Sequence, residues 1–351
     1  MKPEPALKTI DFDYHLPQEL IAQTPVNPRD HSRLMVIQRK SRLIEHRRFY
    51  DLPEYMRPGD VMVFNESRVI PARLRGIRSD TGGNVEFLIL GQLGTGVWQA
   101  LVKPGRRMKV GVEFELVQGD HRITGIVMDS DKTGIRTLKF SGELDFDQIG
   151  EIPVPPYIHK PLEDSDRYQT VYAKTPGSIA APTAGLHFTT SLLNALRDIG
   201  VKLVFATLHV GFGSFRPIDT DDVSSHQMRP EPFSINQSAV DTINDAKVEG
   251  RRVISVGTTA TRLMEHTASL SPVVQNHSML SATSGWADIF ITPGHTFKIV
   301  DSLITNFHLP KSTLLMLTSA FADRNLILNA YREAIKLKYR FYSLGDAMLV
   351  L

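Results

Sequence analysis

The sequence predicts an α/β domain interrupted by a small all-β domain, and three observations lead there. Short β-rich runs separated by glycines fill residues 71–150, with no helical period longer than two turns. From Thr190 to Leu337, runs of helical and strand period alternate instead. Pro71 and the segment Ile152-Pro153-Val154-Pro155-Pro156-Tyr157 punctuate the change of texture at its two ends. The expected organisation is therefore a host formed by residues 1–70 and 153–351, with 71–152 inserted into it.

The elements follow in order. Residues 33–50 alternate apolar and polar through Leu34, Val36, Leu43 and Phe49, and Ser41 sits between basic residues, which predicts a β-hairpin. Pro58-Gly59 marks a turn. Val61-Met62-Val63-Phe64 is a continuous apolar run ending in Asn65-Glu66-Ser67-Arg68, as in a buried strand that delivers polar groups at its C-terminal end. Runs at 85–90, 98–102, 114–117, 123–127 and 135–140 predict a small barrel or sandwich. Thr190 is expected to cap a helix carrying Leu192, Leu193 and Leu196 up to Gly200, followed by a strand over 201–208. A helix over 238–249 closes at Gly250 and leads to a strand over 253–256. Beyond it, 258–266 reads as helix, 289–291 and 297–300 as strands, and 312–321 and 326–337 as helices.

Composition narrows the chemistry. The chain has 351 residues, 42% hydrophobic and 22% charged, which is the profile of a globular protein long enough for two domains. It has no cysteine, which excludes disulfides, zinc-thiolate sites and cysteine-ligated iron–sulfur clusters. Residues 1–16 lack an apolar signal core, and no run reaches the roughly 18 apolar residues of a membrane span, so a cytoplasmic protein is expected. Net charge is only +2, but residues 1–109 carry 18 Lys and Arg against 12 Asp and Glu. Basic clusters at 39–42, 46–48, 73–78 and 103–109 would neutralise phosphates if they share a face, and otherwise are solvated charge.

Four loops carry the residue types that chemistry requires. In Ala180-Ala181-Pro182-Thr183-Ala184-Gly185-Leu186-His187-Phe188-Thr189, glycine permits close approach, Thr183 offers a hydroxyl and His187 can hold a proton. The same residues also suit a tight turn around a structural histidine. His209-Val210-Gly211-Phe212-Gly213-Ser214-Phe215 follows a predicted strand but lacks the third glycine of a dinucleotide fingerprint, and Arg216-Pro217 breaks the helix that motif needs. Gly211, Gly213, His209 and Phe215 fit a glycine-lined approach to a flat or charged ligand instead. Gly257-Thr258-Thr259-Ala260-Thr261-Arg262 and Asn306-Phe307-His308-Leu309-Pro310-Lys311-Ser312 each precede a helix, where free N–H groups favour an anion such as a carboxylate. Pro176-Gly177-Ser178-Ile179 is a faint match to an amidase loop, without an identifiable lysine and second serine. Dispersed histidines predict no metal site. Tyr157, Tyr168, Tyr172 and Phe215 could stack a base or pack in a core.

Taken together these blocks resemble the S-adenosylmethionine:tRNA ribosyltransferase-isomerase family of queuosine biosynthesis. The resemblance runs from Phe12-Asp13-Tyr14-His15-Leu16-Pro17 to Gly345-Asp346-Ala347-Met348-Leu349. It is carried by Asn65 to Arg73, Pro155-Pro156-Tyr157-Ile158, Tyr168-Gln169-Thr170-Val171-Tyr172-Ala173, the 180–189 and 209–215 loops, and Leu303 to Ser312. Two local departures stand out: Ser224-Ser225-His226-Gln227-Met228-Arg229 replaces a His-Met-His-like run, and Thr292-Pro293-Gly294-His295 a Tyr-Pro-Gly-Tyr-like turn.

The resemblance implies an α/β domain with a barrel-like mixed sheet, interrupted by an inserted small all-β barrel. It implies transfer and isomerisation of the ribosyl part of S-adenosylmethionine onto the 7-aminomethyl-7-deazaguanine (preQ1) at the tRNA wobble position. Epoxyqueuosine-tRNA forms, and adenine and methionine leave. The cosubstrate's sulfonium acidifies its C5′ protons, so a base of near-neutral pKa is needed. His187 or His209 is expected as base and His308 as the acid assisting adenine departure. Thr183 and Gly185 are expected at the ribose, with Gly211, Gly213, Phe215, Thr258, Thr259 and Asn306 around the rest of the cosubstrate. Arg68, Arg73, Lys103 and Arg106 are expected on tRNA phosphates, because RNA readers take an unpaired base while Arg and Lys hold the backbone. A monomer with no permanently bound cofactor, no metal and no membrane contact is expected. Two rivals remain open: a methyltransferase, which would release S-adenosylhomocysteine, and a non-catalytic RNA-binding module.

Overall fold

The computed structural model describes residues 7–118, 121–160, 164–211, 218, 220–271, 273–274 and 277–351. Its contacts separate two compact units. One comprises the chain up to Arg68, Pro156–Thr175 and Ala181–Leu351, and the other Val69–Pro155 with Pro176–Ala180.

The first unit is built on a mixed sheet of nine strands. Their order is Thr283–Ala287, Glu231–Ile235, Lys202–Leu208, Val61–Asn65, Val253–Val256, Ser302–Asn306, Ala347–Val350, Arg33–Ile37 and Ile44–Arg48. The four strands from Lys202–Leu208 to Ser302–Asn306 pair in parallel, and the outer pairs are mostly antiparallel. Every residue of Val61–Asn65, Val253–Val256 and Ser302–Asn306 is buried, which is why these runs are mostly apolar and do not alternate with exposed polar positions. Leu34, Val36, Met62, Phe64, Ile254, Val256, Ile304 and Leu349 form one cluster with Phe188, Leu192, Leu193 and Leu196. The helix Gly257–Leu270 packs on the same central strands, and Thr261 ties it to Ser255 through a 2.8 Å hydroxyl contact.

The predicted hairpin, the strands expected at 61–64, 201–208 and 253–256 and the helices are present; the strands Glu231–Ile235, Thr283–Ala287 and Ser302–Asn306 were not expected, and three further differences concern particular residues. The cap of the helix Thr190–Asp198 is Thr189, whose hydroxyl accepts from the Leu192 N–H at 3.1 Å. Ala347–Val350 is a strand inserted between Ser302–Asn306 and Arg33–Ile37. Residues 289–291 and 297–300 are not strands. Ile291, Ile299 and Val300 are buried as their apolar character requires, but the N–H groups of Lys298, Ile299 and Val300 donate to the Glu265 carboxylate at 2.9, 3.0 and 3.0 Å. A side chain thus supplies the acceptors that a neighbouring strand would have offered.

The second unit is a closed antiparallel barrel. Six strands, Arg73–Arg78, Asn84–Gly94, Val97–Lys103, Ile135–Phe140, His121–Ser130 and Glu113–Gln118, pair in that order, and the last pairs back to the first. Its core holds Leu74, Val85, Phe87, Ala100, Phe114, Leu116, Val127, Leu138 and Phe140. Closure removes the sheet edges that a short β-rich insert would otherwise expose. Among the described residues no helix is long and apolar enough to cross a membrane.

Candidate functional site

In the α/β unit a cleft of about 450 Å³, counting its open mouth, is lined by residues from four of the sequence blocks. Ala181 to Ala184 come from the 180–189 loop, Val210 from the end of the strand Lys202–Leu208, and Gly257, Thr258, Thr259 and Arg262 from the start of one helix. Thr305, Asn306 and His308 come from the end of Ser302–Asn306. Val210, the helix start at Gly257 and the Thr305–His308 segment lie at the C-terminal ends of parallel strands, where α/β sheets form their binding crevices.

The helix start is open towards the cleft. Gly257 has φ +91°, a conformation that side chains disfavour, and the helix has no side-chain cap, whereas Thr189, Asn236, Ser312 and Asp323 cap other helices of this unit. Its first N–H groups therefore carry the positive end of the helix dipole. One turn on, Arg262 is 3% exposed and forms a buried ion pair with Glu231 through Nη1. Arg262 Nε also donates to the Ile289 carbonyl at 3.3 Å, and Glu231 Oε1 accepts from the Gly211 N–H at 2.7 Å. Arg262 Nη2, Thr259 Oγ1 and Asn306 Oδ1 are buried without hydrogen-bond partners among the described residues. A buried polar atom left unpaired costs about 1–3 kcal/mol, so three on one cleft mark surface shaped for a polar ligand.

The three expected histidines occupy different environments. His187 is buried behind Asn306 and stacks on Phe49 at 4.9 Å between centroids. Asn306 Nδ2 donates to the Tyr342 carbonyl at 3.2 Å and faces His187 Nε2 at 3.1 Å. Because a carbonyl only accepts, the amide orientation is fixed, Nε2 is unprotonated, and the ring proton lies on Nδ1, directed at Ser32 Oγ 2.7 Å away. Burial, reinforced by the positive charges of Arg340 and Arg29, pushes its pKa down to about 3. His187 lines a separate depression with Arg29, Ser32, Arg167 and Ser343.

His308 lines the cleft itself, with Nε2 2.8 Å from the Thr305 hydroxyl, and burial pushes its pKa down to about 3. Its backbone N–H donates to the Tyr331 hydroxyl at 2.9 Å. His209 is half-buried next to Val210; its Nδ1 is buried without a partner among the described residues, and burial lowers its pKa. Burial thus favours the uncharged form of all three rings.

Thr183, Thr258, Thr259 and Asn306 all line the cleft. Gly185 does not line it: a Cβ there would lie 1.9 Å from the Tyr172 hydroxyl, so the glycine makes room for that tyrosine. Gly211 contacts the Glu231 carboxylate, and Gly213 and Phe215 lie outside the described residues. In the α/β unit Arg68 is exposed, 4.0 Å from Asp166. In the barrel Lys103 and Arg106 are exposed, whereas Arg73 donates to the Val154 carbonyl at 2.9 Å and lies 3.6 Å from Glu86. Sequence reasoning assigned no role to Glu231, Arg262 or Thr305. The available signal was Arg262 and Glu265, two charges three residues apart on a helix otherwise of small and apolar residues, each needing a buried partner.

A family described as queuosine biosynthesis protein matches residues 9–350. S-adenosylmethionine:tRNA ribosyltransferase-isomerase of Staphylococcus aureus strain JH9 is 50% identical over 344 residues, 97% of this chain and 99% of that protein. The protein of the same name from strain USA300 / TCH1516 matches to the same extent. Among solved structures, that of S-adenosylmethionine tRNA ribosyltransferase from Thermotoga maritima is 37% identical, with a TM-score of 0.55 over 97% of this chain and 100% of that one.

Proposed function

The chain belongs to the queuosine biosynthesis protein family, and from that premise we propose that it is an S-adenosylmethionine:tRNA ribosyltransferase-isomerase. It transfers and isomerises the ribosyl group of S-adenosylmethionine onto the 7-aminomethyl group of preQ1 at the tRNA wobble position. The products are epoxyqueuosine-tRNA, adenine and methionine. The observation that carries the site assignment is the cleft at the strand ends, where buried Thr259 Oγ1 and Asn306 Oδ1 have no partner among the described residues.

In this reading S-adenosylmethionine lies in the cleft, with Thr183 and Thr258 beside it and Asn306 Oδ1 accepting one of its N–H groups. The sulfonium acidifies C5′, and a base removes a proton there to start ribose rearrangement. His209 suits that role better than His187, because His187 Nε2 is already engaged by the Asn306 amide. His187 instead positions Asn306. His308, whose Nε2 lies beside the Thr305 hydroxyl, helps adenine leave by presenting its Nδ1–H as a neutral hydrogen-bond donor. The preQ1 base enters unpaired from the anticodon loop; exposed Arg68 on the α/β unit and, on the barrel, exposed Lys103 and Arg106 together with Arg73 are the contacts proposed for tRNA phosphates. No metal or permanently bound cofactor is required in this scheme. The protein acts in the cytoplasm as a monomer.

The test is product analysis with purified protein, S-adenosylmethionine and an anticodon stem-loop carrying preQ1. Adenine, methionine and an epoxyqueuosine-bearing stem-loop are expected. Release of S-adenosylhomocysteine, or binding without turnover, would replace this reading with a methyltransferase or a binding module.

A further inference from the structure

We infer that Arg262, held by Glu231, anchors the α-carboxylate of the cosubstrate's methionine part at the uncapped start of the helix Gly257–Leu270. The inference rests on the function proposed above and assigns one end of the ligand to one end of the cleft.

Three independent features converge. First, the Arg262–Glu231 pair is almost wholly buried, at 4% side-chain exposure for each partner. Burying two charges is expensive, and an apolar pair of the same shape is often as stable, so stability is a weak reason for this one. Second, the guanidinium is fixed but not saturated. Glu231 takes Nη1, the Ile289 carbonyl faces Nε, and Nη2 is left as a buried donor without a partner among the described residues, in a residue that lines the cleft. Third, Gly257, Thr258 and Thr259 bring the uncapped N-terminus of the same helix to the same cleft, and the Thr259 hydroxyl is also unpartnered. A planar guanidinium donor, a hydroxyl and backbone N–H groups at a positive helix end together match a carboxylate. Of the charged groups on S-adenosylmethionine, the carboxylate is the one anion, and it is the group that the free guanidinium donor and the positive helix end favour over the sulfonium or the ammonium.

Glu231 has two roles in this arrangement. It neutralises Arg262 when no ligand is bound, and through Oε1 it fixes the backbone at Gly211. Arg262 is therefore a binding residue and Glu231 a positioning residue.

The test measures Kd for S-adenosylmethionine and for its decarboxylated analogue, which keeps sulfonium, ribose, adenine and amine. Wild-type protein should bind the analogue roughly 10- to 100-fold more weakly, the span of one to two charge-assisted hydrogen bonds. Arg262→Lys keeps the charge for Glu231 but loses the second donor. It should weaken S-adenosylmethionine binding by a similar factor while leaving the analogue's Kd within about twofold. Thr259→Val, which removes no charge, should show the same pattern at a smaller size. Equal affinity of wild-type protein for the two ligands overturns the inference without any variant having to fold. So does an Arg262→Lys variant that is folded by circular dichroism and loses as much on the analogue as on S-adenosylmethionine. If wild-type protein releases adenine and methionine but ignores the carboxylate, the anchor fails and the activity stands. If it binds neither ligand, both fail.

Discussion

The most quantitative consequence of this site concerns a proton that His187 does not take up. In the folded chain its pKa is pushed from 6.5 to about 3 by burial and by Arg340 and Arg29. The unfolded chain therefore binds a proton below pH 6.5 that the folded chain refuses until about pH 3. The stabilising contribution is present in full above 6.5 and is lost progressively as pH falls towards the folded value. Each pKa unit is worth about 1.4 kcal/mol, so at about pH 5 the loss from His187 is on the order of 2 kcal/mol. His308, shifted to about 3 by burial, adds a loss of the same order. The perturbation is His187→Gln, which removes one of the two protons from the balance. Urea unfolding of wild-type and variant would be followed by the helical circular dichroism signal, which among the described residues comes almost entirely from the α/β unit. The variant is less stable at about pH 7.5, but the gap should narrow by about 2 kcal/mol on going to about pH 5. Stability curves that stay parallel across this range, or a His187 resonance titrating near its ordinary value, would refute the reasoning. They would also show that burial does not keep His187 from exchanging a proton near neutral pH.

Three further outcomes follow from other contacts. Glu265→Ala strands the buried N–H groups of Lys298, Ile299 and Val300 and should cost at least about 3 kcal/mol in urea unfolding; a loss under about 1 kcal/mol would mean the loop finds other acceptors. Gly185→Ala should destabilise by about 1–3 kcal/mol because its methyl meets the Tyr172 hydroxyl, and a Tyr172→Phe change in the same chain should restore part of it; additive losses would show that the clash lies elsewhere. Affinity for the anticodon stem-loop should fall steeply with salt, and replacing both Lys103 and Arg106 by alanine should flatten that slope by about two counterions; an unchanged slope would remove both residues from the RNA face.

How far the sequence could be read depended on the range of the interaction that decides each feature. The hairpin at 33–48, the buried strand ending at Asn65 and the helix ending before Gly250 were legible because period, turn and cap are local. Ala347–Val350 was not, since four residues carry too little period and what makes them a strand is the slot between two others distant in sequence. The expected strands at 289–291 and 297–300 show the converse. Their burial was read correctly from apolar character, but whether a buried backbone joins a ladder depends on which acceptor reaches it, and Glu265, more than thirty residues before Ile299, reaches first.

The cleft divides along the same line. Loops rich in threonine, glycine and histidine announced themselves, and Thr183, Thr258, Thr259, Asn306 and His308 do meet. What sequence could not show is how each group is bonded, and bonding decides role. His187 and His308 are the same residue type with similarly depressed pKa values, yet one has its Nε2 engaged by an amide and the other lines the cavity. Arg262 sits in the quoted block Gly257 to Arg262, but its meaning depends on Glu231, thirty-one residues away, taking one of its terminal nitrogens and leaving the other. The pairing also predicts an asymmetry that sequence could not suggest. Glu231→Gln should leave Arg262 buried with no carboxylate until the ligand supplies one. Apparent stability in the absence of S-adenosylmethionine should then fall by several kcal/mol. At saturating ligand, part of that loss should return beyond the stabilisation ligand gives wild-type protein. Thermal unfolding with and without S-adenosylmethionine measures both terms. A variant whose deficit is the same in both would show that the ligand carboxylate never reaches Arg262.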